Sequence, residues 1–441
     1  MSESTKHTLL LVNPGHFHAA MTLRKRHPAL SDEVHVYAEE GQDLNDFLRL
    51  VTSFNQRGHE PTTWGLHVYR GPDYLDALLR QPPGDIAIVA GKNDSKLSTM
   101  QRLHEAGLHV LGDKTWLING NNLDLLDAVT AAPPLAMDIM TERFEIATRL
   151  QQVLSMDKDV FGGFRDTGKE PAVYFRSVHH LYKEVNGEPL VRPAWYFDTT
   201  VQGEGITDVT AHLVDLAQWM IAGEQGADYA RDIVLSAARQ WPTAIPADIF
   251  SRITGLGEFP VESVHDVNSG ALQYLCNAKI NYTLRGVPVE VDSIWDLAIP
   301  EGGGDTHLGI LRGKHADLVV DQGLETGFVT RLRVAPVRDC PDYERALTNA
   351  LEALRDVCPG VGYERYKNSG VKNDAGGTNA GDSGFEITIP AAMHQGHEAR
   401  FAEVLNQFLG YVSAGKWPQR VSEELVTKYT LLAKAHELSH R

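Results

Sequence analysis

The residues with the clearest chemical potential lie in one segment, GEGITDVTAHLVDLAQWM, residues 203–220. If this segment is a helix, Asp208 and His212 lie one turn apart, opposite an apolar stripe. A histidine titrates near neutral pH and can take the proton of a hydroxyl group, while a carboxylate one turn away can orient its ring. The pattern therefore predicts His212 as a general base with Asp208 as its partner. The alternative is an ordinary amphipathic helix with a solvated face.

A lysine in the sequence GDKT is the second candidate for catalysis. Lys114 directly follows an apolar run at 108–112 that is typical of a strand. An ammonium group at the end of such a strand could bind a substrate hydroxyl and help its proton leave. The alternative is a surface lysine.

The first part of the chain, which contains Lys114, alternates between predicted strands and helices. Regular alternation with apolar strands is the signature of a doubly wound parallel sheet. It ends at AAPP, which predicts a first domain of Rossmann type at 1–134. The elements are predicted at 7–15, 18–27, 33–40, 73–81, 85–91, 96–107, 108–114 and 122–132.

The second part, 135–441, is predicted to be an α/β domain for substrate binding and oligomerisation. Helices are expected at 141–155, 208–220, 344–357, 394–414 and 423–438. A strand at 172–182 and period-2 runs between 270 and 337 predict an open, mostly antiparallel sheet. The Gly- and Asn-rich segment 367–384 is predicted to be a long loop.

A dinucleotide would bind at the carboxyl ends of the parallel strands, where the fingerprint G-x-G-x-x-G is expected after the first strand. Only Gly15 of that pattern is present. The acids after the second strand could accept hydrogen bonds from a ribose, which favours NAD over NADP. The cofactor-binding residues are predicted to be Asn13, Pro14, Gly15, His16, Phe17, His18, Glu39, Glu40, Gly91, Asn93 and Asp113.

Aromatic and basic residues around the 203–220 segment could line a site for a polyhydroxylated substrate. Aromatic rings stack on sugar faces, and Arg and His bind hydroxyl groups. Ordinary packing on a sheet face is the alternative for about half of them. The candidates are His179, His180, Lys183, Arg192, Trp195, Tyr196 and His307. His394 and His397 lack a third ligand at a known zinc spacing, so no metal is predicted.

Composition excludes several classes of function. The 441 residues carry a net charge of −17, which argues against a nucleic-acid-binding surface. No apolar run approaches the length of a membrane span. The three cysteines lack CxxC spacing, which favours a reducing compartment and predicts a cytoplasmic protein.

Three segments together resemble the glucose–fructose oxidoreductase, inositol dehydrogenase and MocA family, in a poorly characterised oxidoreductase branch. They are DIAIVAG…LHEAGLHVLGDKT, QGEGITDVTAHLVDLAQWM and HEARFAEVLNQFLGYVSAGKWP. The resemblance implies a Rossmann domain, an α/β domain and NAD(P) bound in the cleft between them. It also assigns Lys114, Asp208 and His212 to the catalytic positions. It further implies a homodimer or homotetramer that pairs through the open sheet.

The chain departs from the family pattern at two motifs. Asn13 and His18 replace the first and third fingerprint glycines, which leaves the choice between NAD and NADP open. Asp113-Lys114-Thr115 replaces Glu-Lys-Pro. A long segment, 41–69, follows the second strand and is expected to cover the cofactor.

Three functions are compatible with these patterns. The first is an NAD(P)-dependent oxidoreductase that acts on a secondary alcohol of a sugar, cyclitol or glycoside. The second is a redox-neutral, glycoside-cleaving enzyme that keeps its NAD bound. The third is a non-catalytic binding protein on a Rossmann fold, which the altered glycines would favour.

Overall fold

The computed structural model describes residues 6–441 except 186–187, 190, 261–266, 300–301, 338–341 and 368–382. The first sheet has six parallel strands in the order β3-β2-β1-β4-β5-β6. Its strands are β1 His7–Val12, β2 Leu30–Ala38, β3 Gly65–Arg70, β4 Ile86–Val89, β5 His109–Asp113 and β6 Ala136–Ile139. Its helices are α1 His18–Met21, α2 Gln42–Gln56, α3 Tyr74–Arg80, α4 Lys96–Glu105 and α5 Leu123–Thr130.

The strand order reverses between β1 and β4, and this reversal creates a crevice at the carboxyl ends of the strands. All four residues of β4 and the last four of β1 are buried, as expected for strands covered on both faces. The predicted doubly wound parallel sheet is therefore confirmed.

Two elements of this first part differ from the sequence-based expectation. The helix predicted at 18–27 ends at Met21 and is followed by a turn and a bend over residues 22–25. Pro28 disfavours a helical conformation only at His27, so the local sequence does not explain the earlier end. The segment 41–69 is ordinary Rossmann structure, since it contains α2 and most of β3.

The second sheet has ten strands and is mixed but mostly antiparallel, as predicted. Its order is β10-β12-β13-β7-β14-β15-β16-β18-β17, with β11 paired to β12. Among the described strands of this second sheet, only β13 and β7 pair in parallel. The strands of the second part, including the small β8–β9 pair, are β7 Val173–Tyr182, β8 Glu184–Val185, β9 Glu188–Pro189, β10 Ile233–Pro246, β11 Val267–Asn268, β12 Ala271–Leu284, β13 Val287–Ala298, β14 Thr306–Arg312, β15 Ala316–Gln322, β16 Arg331–Pro336, β17 Gly362–Lys367 and β18 Ser383–Thr388.

The helices of the second part pack on this sheet and against the first. They are α6 Ile146–Met156, α7 Thr199–Gln202, α8 Thr210–Ala222, α9 Tyr229–Asp232, α10 Ala247–Thr254, α11 Tyr343–Ala353, α12 His397–Ala414 and α13 Arg420–Ser439. The predicted loop at 367–384 lies mostly outside the described residues, and its ends belong to β17 and β18.

The helix that carries His212 has no solvated face, so that alternative is wrong. α8 is buried around almost its whole circumference. Asp215, on the same side as His212, accepts a bidentate hydrogen bond from Arg143 at 2.6 and 2.9 Å and another from Lys428 at 2.8 Å. Lys428 also pairs with Asp138 of β6 at 2.7 Å. Asp215 thus anchors α8 to α13 and the first sheet.

The two closing helices connect both parts of the chain. In α12, Phe401 and Phe408 share an apolar core with Leu9 and Leu11 of β1. In α13, Tyr429 stacks on Trp116 at 5.4 Å between ring centroids. The division at residue 134 stays a proposal, and β6 of the first sheet begins just beyond it. None of the described helices is both long and apolar enough to cross a membrane.

Candidate functional site

A cavity of about 660 Å³ lies where the carboxyl ends of β1, β4 and β5 face the second sheet. Its size is that of a typical small-molecule site. The predicted site residues that line it are His16, Phe17, His18, Gly91, Asn93, Asp113, Lys114, His179, Lys183, Arg192, Trp195, Tyr196, His212 and His307. The predicted residues outside its lining are Asn13, Pro14, Gly15, Glu39, Glu40, His180 and Asp208.

On the side of the first sheet, Asp113 organises the charged groups. Its buried carboxylate is paired with Lys96 and accepts a hydrogen bond from His16 Nδ1 at 2.7 Å. His18 Nδ1 lies 3.5 Å from the same oxygen as His16. Lys96 also donates to Asn93 Oδ1 at 2.6 Å. The Lys96 ammonium and both imidazoles hold the pKa of Asp113 well below its ordinary value despite burial, so this carboxylate is charged.

The turn after β1 is held by backbone contacts. The N–H groups of Gly15 and His16 both donate to Ala90 O, at 3.0 and 3.1 Å. Asn13 has a positive φ of 43°. A Cβ on Gly91 would lie 2.7 Å from the Asn13 carbonyl oxygen, so a side chain at position 91 would force the turn apart.

A carboxylate from α2 covers this turn. Asp43 Oδ2 would lie 3.0 Å from a Cβ on Gly15, and it accepts a hydrogen bond from Trp195 Nε1 at 2.9 Å. Burial raises the pKa of Asp43, while the bond from Trp195 opposes that shift. The contact joins the first part of the chain to the second across the mouth of the cavity. Among the described hydrogen bonds, it is the one by which segment 41–69 reaches across the mouth of the cavity.

The two acids after β2 lie apart from the cavity lining. The N–H of Glu39 donates to Asn13 Oδ1 at 3.3 Å, which fixes it beside the turn. Glu40 accepts hydrogen bonds from Arg70 at 2.8 and 3.0 Å. Both positions are exposed at the edge of the sheet.

Lys114 and Asp208 form an ion pair, and both side chains are largely buried. Lys114 follows β5, and its peptide bond to Thr115 is cis. Asp208 lies just before α8, where its N–H donates to Glu204 O at 3.2 Å. Gln202 Nε2 lies 3.4 Å from Asp208 Oδ1, while Asp208 Oδ2 is buried and has no hydrogen-bond partner.

The expected contact between Asp208 and His212 is not formed, because the carboxylate of Asp208 binds Lys114 instead. His212 Nδ1 is buried without a partner. Burial and the nearby Lys114 ammonium lower the pKa of His212 to about 3, although Glu142 opposes the shift. His212 is therefore a neutral imidazole at physiological pH. Its lone pair or N–H can meet a substrate hydroxyl directly.

Asp305 contacts three of the predicted substrate-binding residues. Its carboxylate contacts His179 Nδ1 at 3.2 Å and His180 Nδ1 at 3.1 Å, and it pairs with Lys183. His179 Nε2 is buried without a partner. The ring of His307 packs edge-on to that of His179 at 5.5 Å, and burial lowers the pKa of His307 to about 4.

The aromatic candidates form a second group on the wall of the cavity. The Arg192 guanidinium lies over the ring of Tyr196 at 4.8 Å and over that of Trp295 at 5.3 Å. Trp295 also packs against His179, with 5.0 Å between centroids. Trp195 lines the cavity and binds Asp43.

Several cavity residues were not identified from the sequence. Glu142, before α6, pairs with Arg400 of α12 at 3.2 Å, and this cation lowers the pKa of Glu142 to about 2 despite burial. His397 lies 3.8 Å from the same carboxylate. Their positions in amphipathic segments look like those of ordinary surface charges, and only the fold brings residues 142 and 400 together. Asp305 lies on the glycine turn GGGDTH, two residues before the predicted His307.

Comparison with known proteins identifies relatives of the whole chain. The profile of the family described as "Putative oxidoreductase C terminal domain" matches residues 150–440. A crystal structure described as a putative oxidoreductase from Parabacteroides merdae is 38% identical, with a TM-score of 0.92 over 99% of this chain and 98% of that chain. No curated protein matches the sequence.

More distant structures share the fold. Levoglucosan dehydrogenase, solved with NADH and levoglucosan, is 13% identical with a TM-score of 0.60, and the match covers 99% of this chain and 96% of that chain. KijD10, a 3-ketoreductase from Actinomadura kijaniata solved with NADP and TDP-benzene, is 13% identical with a TM-score of 0.57 over 98% of both chains.

The family match and the sheet order both agree with the resemblance found in the sequence, and the expectation of an enzyme is confirmed. The chain belongs to the oxidoreductase family that carries this C-terminal domain.

Proposed function

We propose that the protein is an NAD(P)-dependent oxidoreductase that transfers a hydride between a nicotinamide cofactor and a secondary alcohol of a sugar, cyclitol or glycoside. The observation that carries the proposal is the placement of Lys114 and His212 on one cavity at the crevice of the parallel sheet, with Asp208 paired to Lys114. The cofactors of the distant neighbours, NADH and NADP, support a nicotinamide cofactor here.

The residues at the crevice fit a dinucleotide at its reactive end. Gly91, Asn93 and His16 line the cavity at the carboxyl ends of the strands and could hold it there. Glu39 and Glu40 at the end of β2 favour a ribose with a free 2′-hydroxyl, hence NAD, because a 2′-phosphate would meet two acids. The fit differs at the turn, where Ala90 O already accepts from the N–H groups of Gly15 and His16.

When bound, the nicotinamide ring supplies the acceptor for the hydride of the alcohol carbon. The protein must then take the hydroxyl proton and stabilise the oxygen as charge develops on it. Neutral His212, which lines the cavity, is the proton acceptor. The Lys114 ammonium stabilises the oxygen, and Asp208 positions that ammonium through their ion pair.

The substrate wall suits a molecule with several hydroxyl groups. His179 and Lys183, both held by Asp305, offer donors to hydroxyl oxygens, and His179 Nε2 is unpaired and buried. Trp195 and Tyr196 add aromatic surface, which suits the apolar faces of a sugar ring.

The test is to follow NAD and NADP reduction with a panel of sugars, cyclitols and glycosides, using the wild type and Lys114→Met. We expect a turnover loss of about 10²–10⁴-fold with Lys114→Met. Lys25→Met, which changes an exposed lysine, should retain wild-type turnover. Equal turnover in all three proteins on the best substrate would contradict the assignment.

The Asp43–Trp195 contact supports a second candidate, the redox-neutral glycoside-cleaving enzyme. A contact that closes over the turn would add to the retention of a bound dinucleotide, which this candidate requires between its two half-reactions. We would purify the protein without added cofactor, denature it and identify released nucleotide by mass spectrometry. Near-stoichiometric NAD, with glycoside cleavage and no net NADH, would favour this candidate. An empty protein that reduces added NAD would favour the first.

Pairing with a second copy through the open sheet remains a prediction. Light scattering at micromolar concentration tests it, and a monomer would contradict a homodimer or homotetramer.

A further inference from the structure

A second cluster of ligand-type side chains lies away from the cavity. His436 and His440, one turn apart at the end of α13, both direct Nε2 at the Oε2 atom of Glu204, at 2.9 and 2.8 Å. Their rings lie 4.7 Å apart. Gln240 Nε2 of β10 contacts the same oxygen at 2.6 Å. Three nitrogens thus converge on one carboxylate oxygen, which has about two lone-pair positions to offer.

We propose that Glu204, His436 and His440 bind a divalent transition-metal cation, with Zn²⁺ as the best match. Two imidazole nitrogens and one carboxylate oxygen, with a fourth position open to water, are a common zinc ligand set. Histidines at i and i+4 of a helix place both nitrogens on one face.

The geometry needs only a small adjustment. Tetrahedral zinc with bonds of about 2.0–2.1 Å separates its ligand atoms by about 3.3 Å. The nitrogen–oxygen distances here are 2.9 and 2.8 Å, so each must open by about half an ångström. The His440 side chain is 49% exposed and can rotate, and its exposure also gives an ion access to the site.

Charge distinguishes this cluster from the other group of three such side chains in the described chain whose ligand atoms lie within 4.8 Å of one another, His16, His18 and Asp113. There the ammonium of Lys96 already neutralises Asp113, and Lys114 is close by. A divalent cation would meet two positive charges in a buried place, which is strongly unfavourable. Around Glu204 the described ion pairs involve the two histidines and neither a lysine nor an arginine.

The site would also act on the segment that carries Asp208. Glu204 O accepts from Thr207 N at 3.0 Å and from Asp208 N at 3.2 Å. A cation at Glu204 would therefore tie α13 to the turn that positions Asp208. No metal was predicted because the sequence lacks a known zinc spacing. Glu204 lies so far from His436 and His440 in the chain that no sequence motif could reveal a site formed by these three residues.

The experiment is titration of the metal-stripped full chain with Co²⁺ and Zn²⁺, read by the visible absorption of cobalt and by calorimetry. We expect one ion per chain, a four-coordinate cobalt spectrum and a higher Tm with Zn²⁺. His440→Gln should weaken binding by about tenfold or more. His59→Gln, an exposed histidine elsewhere, should leave binding unchanged.

Two results would overturn the proposal. One is a wild-type chain that binds no more Zn²⁺ than His440→Gln. The other is binding that survives His440→Gln and is lost with His16→Gln, which would place the ion at the turn after β1. Equal Tm values of His440→Gln and the wild type in EDTA would show that the variant folds, and Glu204→Gln provides an independent variant if it does not.

Discussion

The two walls of the cavity treat their buried polar groups differently. On the first wall, both oxygens of the Asp113 carboxylate have partners, Lys96 and His16, although the neighbouring His18 Nδ1 has none. On the second wall, Asp208 Oδ2 and His212 Nδ1 have none. A buried polar atom without a partner costs about 1–3 kcal/mol of stability.

The difference indicates which wall performs the chemistry. Hydrogen bonds and ion pairs formed within the protein stabilise the fold, whereas a buried polar atom without a partner can form a hydrogen bond only when a ligand binds. The first wall should therefore contribute mainly to stability, and the second mainly to turnover.

The largest effect is expected for His212→Ala on the second wall. We expect kcat for the best alcohol substrate to fall by about 10²–10⁴-fold, because the proton acceptor is lost. Cofactor affinity and Tm should change little. Steady-state kinetics and calorimetric titration measure these quantities. A near-normal kcat in this variant would contradict the assignment of turnover to the second wall.

On the first wall, Asp113→Asn should reduce stability. Removing one partner of a buried ion pair leaves the Lys96 charge uncompensated, at a cost of about 3–5 kcal/mol in the free energy of unfolding. Urea denaturation measures it. The double variant Lys96→Met/Asp113→Leu should recover most of the loss, because it removes both charges. A single variant as stable as the wild type would contradict the structural role of this wall.

A smaller effect is expected for His179→Phe. His179 Nε2 is unpaired, and one hydrogen bond to a substrate hydroxyl contributes about 1 kcal/mol, so KM should rise several-fold with kcat nearly unchanged. His180→Gln is the matched control on the same strand, since His180 does not line the cavity. An equal rise in KM for both variants would show a general disturbance of β7.

The smallest change concerns acid pH. Because the pKa of His212 is lowered to about 3, its neutral form persists, and kcat/KM should show no break near 6.5 between pH 5 and 8 from this group. In the unfolded chain, His212 takes up a proton below about pH 6.5, and the folded chain does so only near 3. Stability should therefore fall as pH decreases through that window. A break in kcat/KM near 6.5 that His212→Ala removes would contradict the prediction.

Much of the fold was predictable from the sequence, because it rests on local periodicity. The strands β1, β4 and β5 are short apolar runs between turn residues, and β7 alternates in exposure. α1 was overestimated, because the helix predicted at 18–27 ends at Met21. β3 was missed in the segment expected to cover the cofactor.

The candidate site was predictable only in part, for a physical reason. Lys114 was identifiable because it follows β5, and Asp208 and His212 because they lie at the beginning of the α8 segment. Their pairing was not, since a carboxylate chooses among cations that the fold brings near, and Lys114 lies far from Asp208 in the chain. The pairs Glu142–Arg400 and Asp305–Lys183 are invisible for the same reason.

The hydrogen bond between Asp43 and Trp195 has a consequence for how quickly the cavity exchanges its contents. It joins α2 to the segment before α7, so any hinge motion that widens the mouth must break it. A net contribution of about 1 kcal/mol makes the closed form only about fivefold more populated than a form differing in this bond alone. Opening would then be frequent. The residence time of a bound dinucleotide would depend mainly on the binding energy of its own contacts with the protein, because this single hydrogen bond contributes little.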